Sequence, residues 1–258
     1  MQYFVNVSFA NIYRKPTFHS EVDTQVVLWE ELEVLERINS FLRVRTEDHY
    51  EGWLNEHQVA VCPMPQVGWI MIRDLFRKIY EKPDRLARIL RVVSAGTQLP
   101  IISDEEGWAK VILPDEQTAF IPLEALKQRA SFTPGELVKV AKRFMGVTYI
   151  WGGKTAFGLD CSGLVQLSCK LLGRFVRRDA WMQFEDSKPL SDDPAAARPG
   201  DLYFFSENGD KITHVAIALG KKRFIHARGM VRINSLNEDD ADFSPELLRD
   251  FVQVRTFF

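Results

Sequence analysis

The first half of the chain repeats itself. Shifted by 67 positions it matches without gaps: Ile12-Tyr13 falls on Ile79-Tyr80, Lys15-Pro16 on Lys82-Pro83, Val26 on Val93, Leu32 on Leu99, Phe41 on Trp108, Val44 on Val111 and Trp53-Leu54 on Phe120-Ile121. One constant offset that keeps apolar residues on apolar residues at this many positions marks a duplicated unit. The 258-residue chain therefore reads as two copies of a small unit followed by a region of different character.

Each copy carries short alternating stretches, such as Leu32-Glu33-Val34-Leu35-Glu36 and Phe41-Leu42-Arg43-Val44-Arg45, separated by turn-forming residues. Alternation at period two predicts strands, and several short strands predict a small barrel. The stretch Asp48-His49-Tyr50-Glu51-Gly52-Trp53-Leu54 resembles the closing strand of bacterial SH3-like domains. In the second copy Gln117-Thr118-Ala119-Phe120 lacks the Tyr and the Gly-Trp pair, so that copy is expected to keep the fold without all of the surface function. Cys62, in Val61-Cys62-Pro63-Met64-Pro65, reads as linker.

A formal charge of −2 leaves no basic face for phosphates and excludes a nucleic-acid binder; the short run Arg174 to Arg178 reads as a solvated helix end. No apolar run is long enough to cross a bilayer as a helix. The start Met1-Gln-Tyr-Phe-Val-Asn-Val lacks the tripartite pattern of a signal peptide, so a cytoplasmic location is expected, or export if a leader has been trimmed. Three cysteines make no disulfide framework and suit a reducing compartment.

A boundary falls near residues 127–132, and the expected domains are 1–62, 68–127 and 130–258. Thr133-Pro134-Gly135-Glu136 is a helix start, with Thr as N-cap and Gly146 expected to end the helix. Helices precede strands in this last region, which predicts an α+β fold. Its most informative stretch runs from Tyr149-Ile150-Trp151-Gly152-Gly153 to Asp160-Cys161-Ser162-Gly163 and into an apolar helix. Asp160 is placed as N-cap and Cys161 in the first turn, where the helix dipole is expected to lower the thiol pKa. Gly163 is expected to leave room for a substrate backbone.

Two of the five histidines lie in neighbouring strand-like segments, Thr213-His214-Val215-Ala216-Ile217 and Arg223-Phe224-Ile225-His226. A hairpin with a three-residue loop at Leu219-Gly220-Lys221 sets His214 directly opposite His226 on one face, whereas a two- or four-residue loop puts them on opposite faces. A lone Cys is more often a buried core residue than a nucleophile. A helix-start Cys sharing a domain with two paired histidines is better explained by catalysis. Cys169, on the same helix, reads as core, and no ligand-pair spacing typical of structural zinc appears.

The C-terminal region resembles the NlpC/p60 family of papain-like cell-wall peptidases, through Tyr149-x-Trp151-Gly152-Gly153, Asp160-Cys161-Ser162-Gly163, Arg198-Pro199-Gly200-Asp201-Leu202, His214-Val215-Ala216-Ile217 and Ile225-His226-Ala227. With the tandem repeat it is similar to the subgroup that trims murein peptides during cell-wall recycling. The resemblance implies two SH3-like β-barrels ahead of a papain-like α+β domain. It implies hydrolysis of the γ-D-glutamyl–diamino acid bond in small muropeptides with a free L-alanine amine. It also implies Cys161 as nucleophile, His214 as base, His226 as the group that orients His214, and no metal or cofactor. Tyr149, Trp151, Asp160, Ser162 and Asp179 are then expected at the substrate. Glu30 and Tyr50 of the first SH3-like domain are matched to recognition of the amine. The subgroup commonly has Ser after the Asp that Asp179 matches; this chain has Ala180, so one hydrogen bond toward D-glutamate is expected to be missing or replaced. Two rival readings are a papain-like amidase or acyltransferase on another substrate, and a non-catalytic murein-binding protein.

Overall fold

The computed structural model describes residues 2–123, 130–209 and 211–258. The chain forms two compact units, Met1–Gln128 and Arg129–Phe258. The first holds two antiparallel sheets, and the sequence offset is also the structural one. Strands Phe9–Tyr13, Val22–Val27, Glu31–Ile38, Phe41–Arg45 and Glu51–Asn55 recur as Phe76–Tyr80, Ile89–Ser94, Gln98–Glu105, Trp108–Ile112 and Thr118–Pro122, in the same spatial order. The matched apolar residues are the cores of the copies: Ile12, Val26, Leu32, Val44 and Leu54 are buried, and so are Ile79, Val93, Leu99, Val111 and Ile121. Gly52 is demanded by close approach, since a Cβ there would lie 2.5 Å from Ile12 Cγ2 and 2.9 Å from Tyr13 O.

The repeat extends to backbone conformation. Left-handed residues Trp29, Asn39 and His49 recur as Gly96, Glu106 and Glu116. Where the second copy uses glycine, the first holds a tryptophan at φ 68°, a conformation that costs a non-glycine residue about 1–2 kcal/mol. Its ring offsets that cost by packing between the copies. It meets Phe4 at 5.1 Å and Trp69 at 5.5 Å between centroids, and its Nε1–H donates to the Ile112 carbonyl at 2.9 Å. Cys62 is not linker: it ends strand Val59–Cys62 and is buried in this shared core. The end expected for the second copy at 127 lies outside the described residues.

In the second unit Thr133 caps helix α1 (Pro134–Lys142) through Glu136 N–H, and the helix ends at Lys142, ahead of the expected Gly146. Helices α2 (Cys161–Leu171) and α3 (Ala180–Asp186) follow. A six-stranded antiparallel sheet completes the fold, in the order Lys188–Ser191, Phe251–Thr256, Leu202–Phe205, His214–Gly220, Arg223–Arg228, Met230–Ser235, with α4 (Pro245–Arg249) between its last two strands in sequence. Leu202, Phe204, Val215, Ile217 and Ile225 are fully buried on one side, and Tyr203, Phe205, Ala218 and Phe224 on the other. A sheet covered on both faces explains why these strands read as continuous apolar runs. α2 packs against the central strands, which carries its N-terminus to the start of His214–Gly220.

Candidate active site

Asp160 caps α2, its Oδ1 accepting from Gly163 N–H at 2.7 Å. The same carboxylate accepts from Gly152 N–H, from the Ser162 hydroxyl, and from both terminal nitrogens of Arg178, at distances of 2.5–3.2 Å. Arg178 is 1% exposed. It is therefore no part of a solvated helix end but a buried guanidinium that ties α2 to the segment before α3, and Ser162 Oγ takes a further bond from it at 2.9 Å. Gly163 is required by the protein's own backbone: a Cβ there would sit 2.1 Å from the Gly153 carbonyl oxygen. No substrate has to approach at that point. The Gly152-Gly153 loop is thereby fastened to the first turn that presents Cys161.

The expected fall in the Cys161 pKa is not found. Burial pushes the thiol up to about 12, and the Asp160 charge adds to the rise; the backbone N–H groups of Val215 and Ser162 and the Arg178 charge oppose it only in part. A helix dipole contributes about 0.3–1 kcal/mol, less than the cost of a buried anion.

The histidines share a face through a register other than the expected one. Gly220 pairs with Arg223 around a two-residue turn, Lys221-Lys222, with both residues left-handed at φ 53° and 62°. A bulge between Ala218 and Gly220 then shifts the pairing to Ala218↔Phe224 and Ile217↔Ile225. Continued, this register sets His226 beside Ala216 and makes the histidines diagonal neighbours. The bulge restores the parity that a two-residue turn alone would have reversed. His214 Nε2 lies 2.8 Å from His226 Nδ1, which leaves His214 Nδ1 as the ring nitrogen outside that bond. His226 is fully buried, and its Nε2 lies 3.1 Å from Asn234 Oδ1. Burial lowers the His226 pKa to about 4, against the raising effect of the Asn234 bond, and holds His214 well below the usual imidazole range, aided by positive charge on His226 and Arg228.

Cys161 and His214 line one cleft of about 470 Å³, together with Tyr149, Trp151, Asp160, Ser162 and Asp179. Trp151 is the most open of them, at 62% exposure. Asp179 begins α3 and accepts from Trp181 Nε1–H at 3.1 Å, while Ala180 presents a methyl group to the cleft. Burial raises the Tyr149 phenol pKa. The cleft also holds residues the sequence reading passed over, Lys211 and Arg228 among them, with Lys211 Nζ 4.8 Å over the Trp181 ring. Among the described residues no group of three or more His, Cys, Asp and Glu gathers as a metal site. Glu30 and Tyr50 belong to the first unit. Glu30 is buried there with Oε2 accepting from Val27 N–H at 3.1 Å, and Tyr50 closes a tight turn through its N–H and C=O to Thr46.

Residues 146–244 match the NlpC/P60 family, and residues 12–59 match the bacterial dipeptidyl-peptidase SH3 domain. A gamma-D-glutamyl-L-lysine dipeptidyl-peptidase of Bacillus cereus is 27% identical over 92% of this chain and 76% of its own. Dipeptidyl-peptidase 6 of Lysinibacillus sphaericus is 26% identical, with all of both chains covered. The crystal structure of an NlpC/P60 family protein from Bacillus cereus has the same fold, with a TM-score of 0.86 at 22% identity over 100% of this chain and 99% of that one. The chain thus carries an NlpC/P60 domain of papain-like α+β fold behind an SH3-like β-rich region, and it is a cysteine peptidase of the NlpC/P60 cell-wall type.

Proposed function

We propose that this peptidase hydrolyses the bond between γ-D-glutamate and an L-diamino acid in short murein peptides with a free N-terminal L-alanine, as a step in recycling cell-wall peptides. The observation that carries the chemistry is the contact of His214 with His226 at 2.8 Å beside a cleft that also opens on Cys161. The substrate class is supported by the names of the relatives matched along most of the chain. Lys211 and Arg228 supply cationic groups in the cleft for the carboxylates that such a peptide carries.

In this reading Cys161 is the nucleophile and His214 the base. Burial raises the Cys161 thiol pKa and lowers that of the His214 imidazole, which disfavours a lone charge on either group. As Sγ attacks the γ-carbonyl carbon, its proton passes to His214 Nδ1 and the carbonyl electron pair moves onto oxygen. The N–H of Cys161, in the first turn of α2 where no intrahelical acceptor exists, is positioned to bind that oxygen. Collapse breaks the C–N bond and His214 returns the proton to the leaving amine. Water, deprotonated by Nδ1, then cleaves the thioester and restores the thiol. Tyr149, Trp151, Ser162 and Asp179 are assigned to the cleft walls that hold the peptide, Asp160 to fixing the first turn of α2, and Glu30 and Tyr50 to the peptide amine.

The test is mass spectrometry of products from L-Ala-γ-D-Glu-L-Lys and its meso-diaminopimelate counterpart. Wild type should release L-Ala-γ-D-Glu, and Cys161→Ala should lose at least about 10³-fold in rate. Undiminished cleavage by Cys161→Ala overturns the assignment of the nucleophile; failure of wild type on both peptides overturns the substrate class.

A further inference from the structure

Beyond the histidine pair the hydrogen-bonded chain continues to a residue with no role in the reading above. Strand Arg223–Arg228 pairs with Met230–Ser235 so that Phe224 faces Asn234 and His226 faces Arg232. Asn234 is therefore a diagonal neighbour of His226, as His226 is of His214. The three side chains step across three adjacent strands, with contacts of 2.8 Å and 3.1 Å.

The orientation of the Asn234 amide follows from what lies behind it. Its Nδ2 is 2.8 Å from the carbonyl oxygen of Asp242. That carbonyl also accepts from Ser235 N–H at 3.0 Å, and the Asp242 carboxylate is held by Arg223 at 2.5 Å, so the loop is anchored at both its backbone and its side chain. A carbonyl oxygen only accepts, so the NH₂ group of Asn234 must point to Asp242 and its Oδ1 to His226. Oδ1 also only accepts, so the proton of a neutral His226 must sit on Nε2. His226 Nδ1 is then bare and accepts from His214, whose own proton must sit on its Nε2. His214 Nδ1 is left bare.

We propose that Asn234 is a positioning residue: through His226 it holds His214 in the one neutral tautomer whose Nδ1 can take a proton. With His226 in the opposite tautomer, its bare Nε2 faces the acceptor Oδ1 of Asn234 and that bond is lost. Its Nδ1–H then donates to His214 Nε2, so His214 Nδ1 carries a hydrogen that blocks it as a base. Asn234 touches neither the thiol nor the substrate; its effect is on the fraction of enzyme that is competent. The inference rests on His214 acting as the base, but the tautomers can be read without any turnover.

The experiment is the two-bond ¹H–¹⁵N spectrum of histidine-labelled protein, in which the Nε2–H and Nδ1–H tautomers have distinct patterns, and the chain's five histidines keep it tractable. In wild type, His214 and His226 should both show Nε2–H. Either one found as Nδ1–H overturns the proposal before any variant is made. Asn234→Ala should convert part of His226 to Nδ1–H and lower kcat by about 10- to 100-fold with KM little changed, a scale taken from the loss of the outer partner of a metal-bound histidine. Asn234→Asp keeps an acceptor for Nε2–H, so it should retain the wild-type tautomer and exceed the alanine variant in kcat. A folded Asn234→Ala with wild-type tautomers and kcat, or an aspartate variant no better than alanine in tautomer and rate, sinks the role. Full activity in Cys161→Ala would instead defeat the catalytic reading and leave the tautomer result standing.

Discussion

Asp160 illustrates how one side chain serves two scales of the sequence. Its capping role is local, set by Gly163 three residues on, and is legible without a structure. Its ion pair with Arg178, 18 residues away, is not. An arginine followed by an aspartate looks like ordinary surface charge, and nothing near it in the chain reveals 1% exposure. Removing one partner of a buried, hydrogen-bonded pair leaves the other uncompensated. Arg178→Ala and Asp160→Ala should each destabilise the protein by about 3–5 kcal/mol, and the double variant by clearly less than the sum. Denaturant unfolding of the three variants checks this, and strict additivity would show that the pair does not act as a unit. The same locality explains why Asn234 escaped the sequence reading: its partners are His226 and the Asp242 carbonyl, each 8 residues from it on different segments.

At the level of elements, the hairpin that carries the two histidines was legible as two strands but not in its register. The turn is Lys221-Lys222, neither residue with a preference for the left-handed region, and only pairing shows the bulge that follows. Two-residue hairpin turns of this kind favour Asn-Gly. Replacing Lys221-Lys222 by Asn-Gly should raise stability by about 1–2 kcal/mol by removing left-handed strain, with activity unchanged because the bulge and the histidine contact stay in place. Thermal unfolding and peptide cleavage by the variant test both halves of that statement. A loss of activity would show that the turn, not the bulge, holds the register. The repeat was far easier to read, because the offset acts on whole strands and each strand must bury the same side. Even Trp29, aligned with Gly96, becomes intelligible only once its ring is seen between the two copies.

For the whole molecule, burial of titratable groups predicts a bounded pH range of stability. His226 has an ordinary pKa of 6.5 when unfolded and about 4 when folded. Between these values the unfolded chain binds the proton and the folded one does not, so stability is lost as pH falls through that window. The contribution of His226 is about 3 kcal/mol, and His214 acts in the same direction. At the other end, Cys161 and Cys169 move from 9.0 to about 12 on folding. The unfolded thiols ionise first, so stability falls again as pH rises above 9. Chemical denaturation at several pH values should show a plateau between these limits. A gain in stability on acidification from about pH 6.5 to 5, above the ordinary carboxylate range, would contradict the burial of the histidine pair.

The sequence by itself determined what depends on neighbours along the chain: the duplicated strands, the capped starts of α1 and α2, the α+β order of the last region, and a cysteine in the first turn of a helix. Periodicity and capping act over a few residues and leave a local mark. The tertiary structure alone decided the hairpin register, the burial of Arg178, the upward shift of the Cys161 thiol and the line of three side chains from His214 to Asn234. Each of these depends on which distant groups meet in a dry interior. There, desolvation outweighs the helix dipole, and a buried donor or acceptor left without a partner is costly, so most take one from elsewhere in the fold.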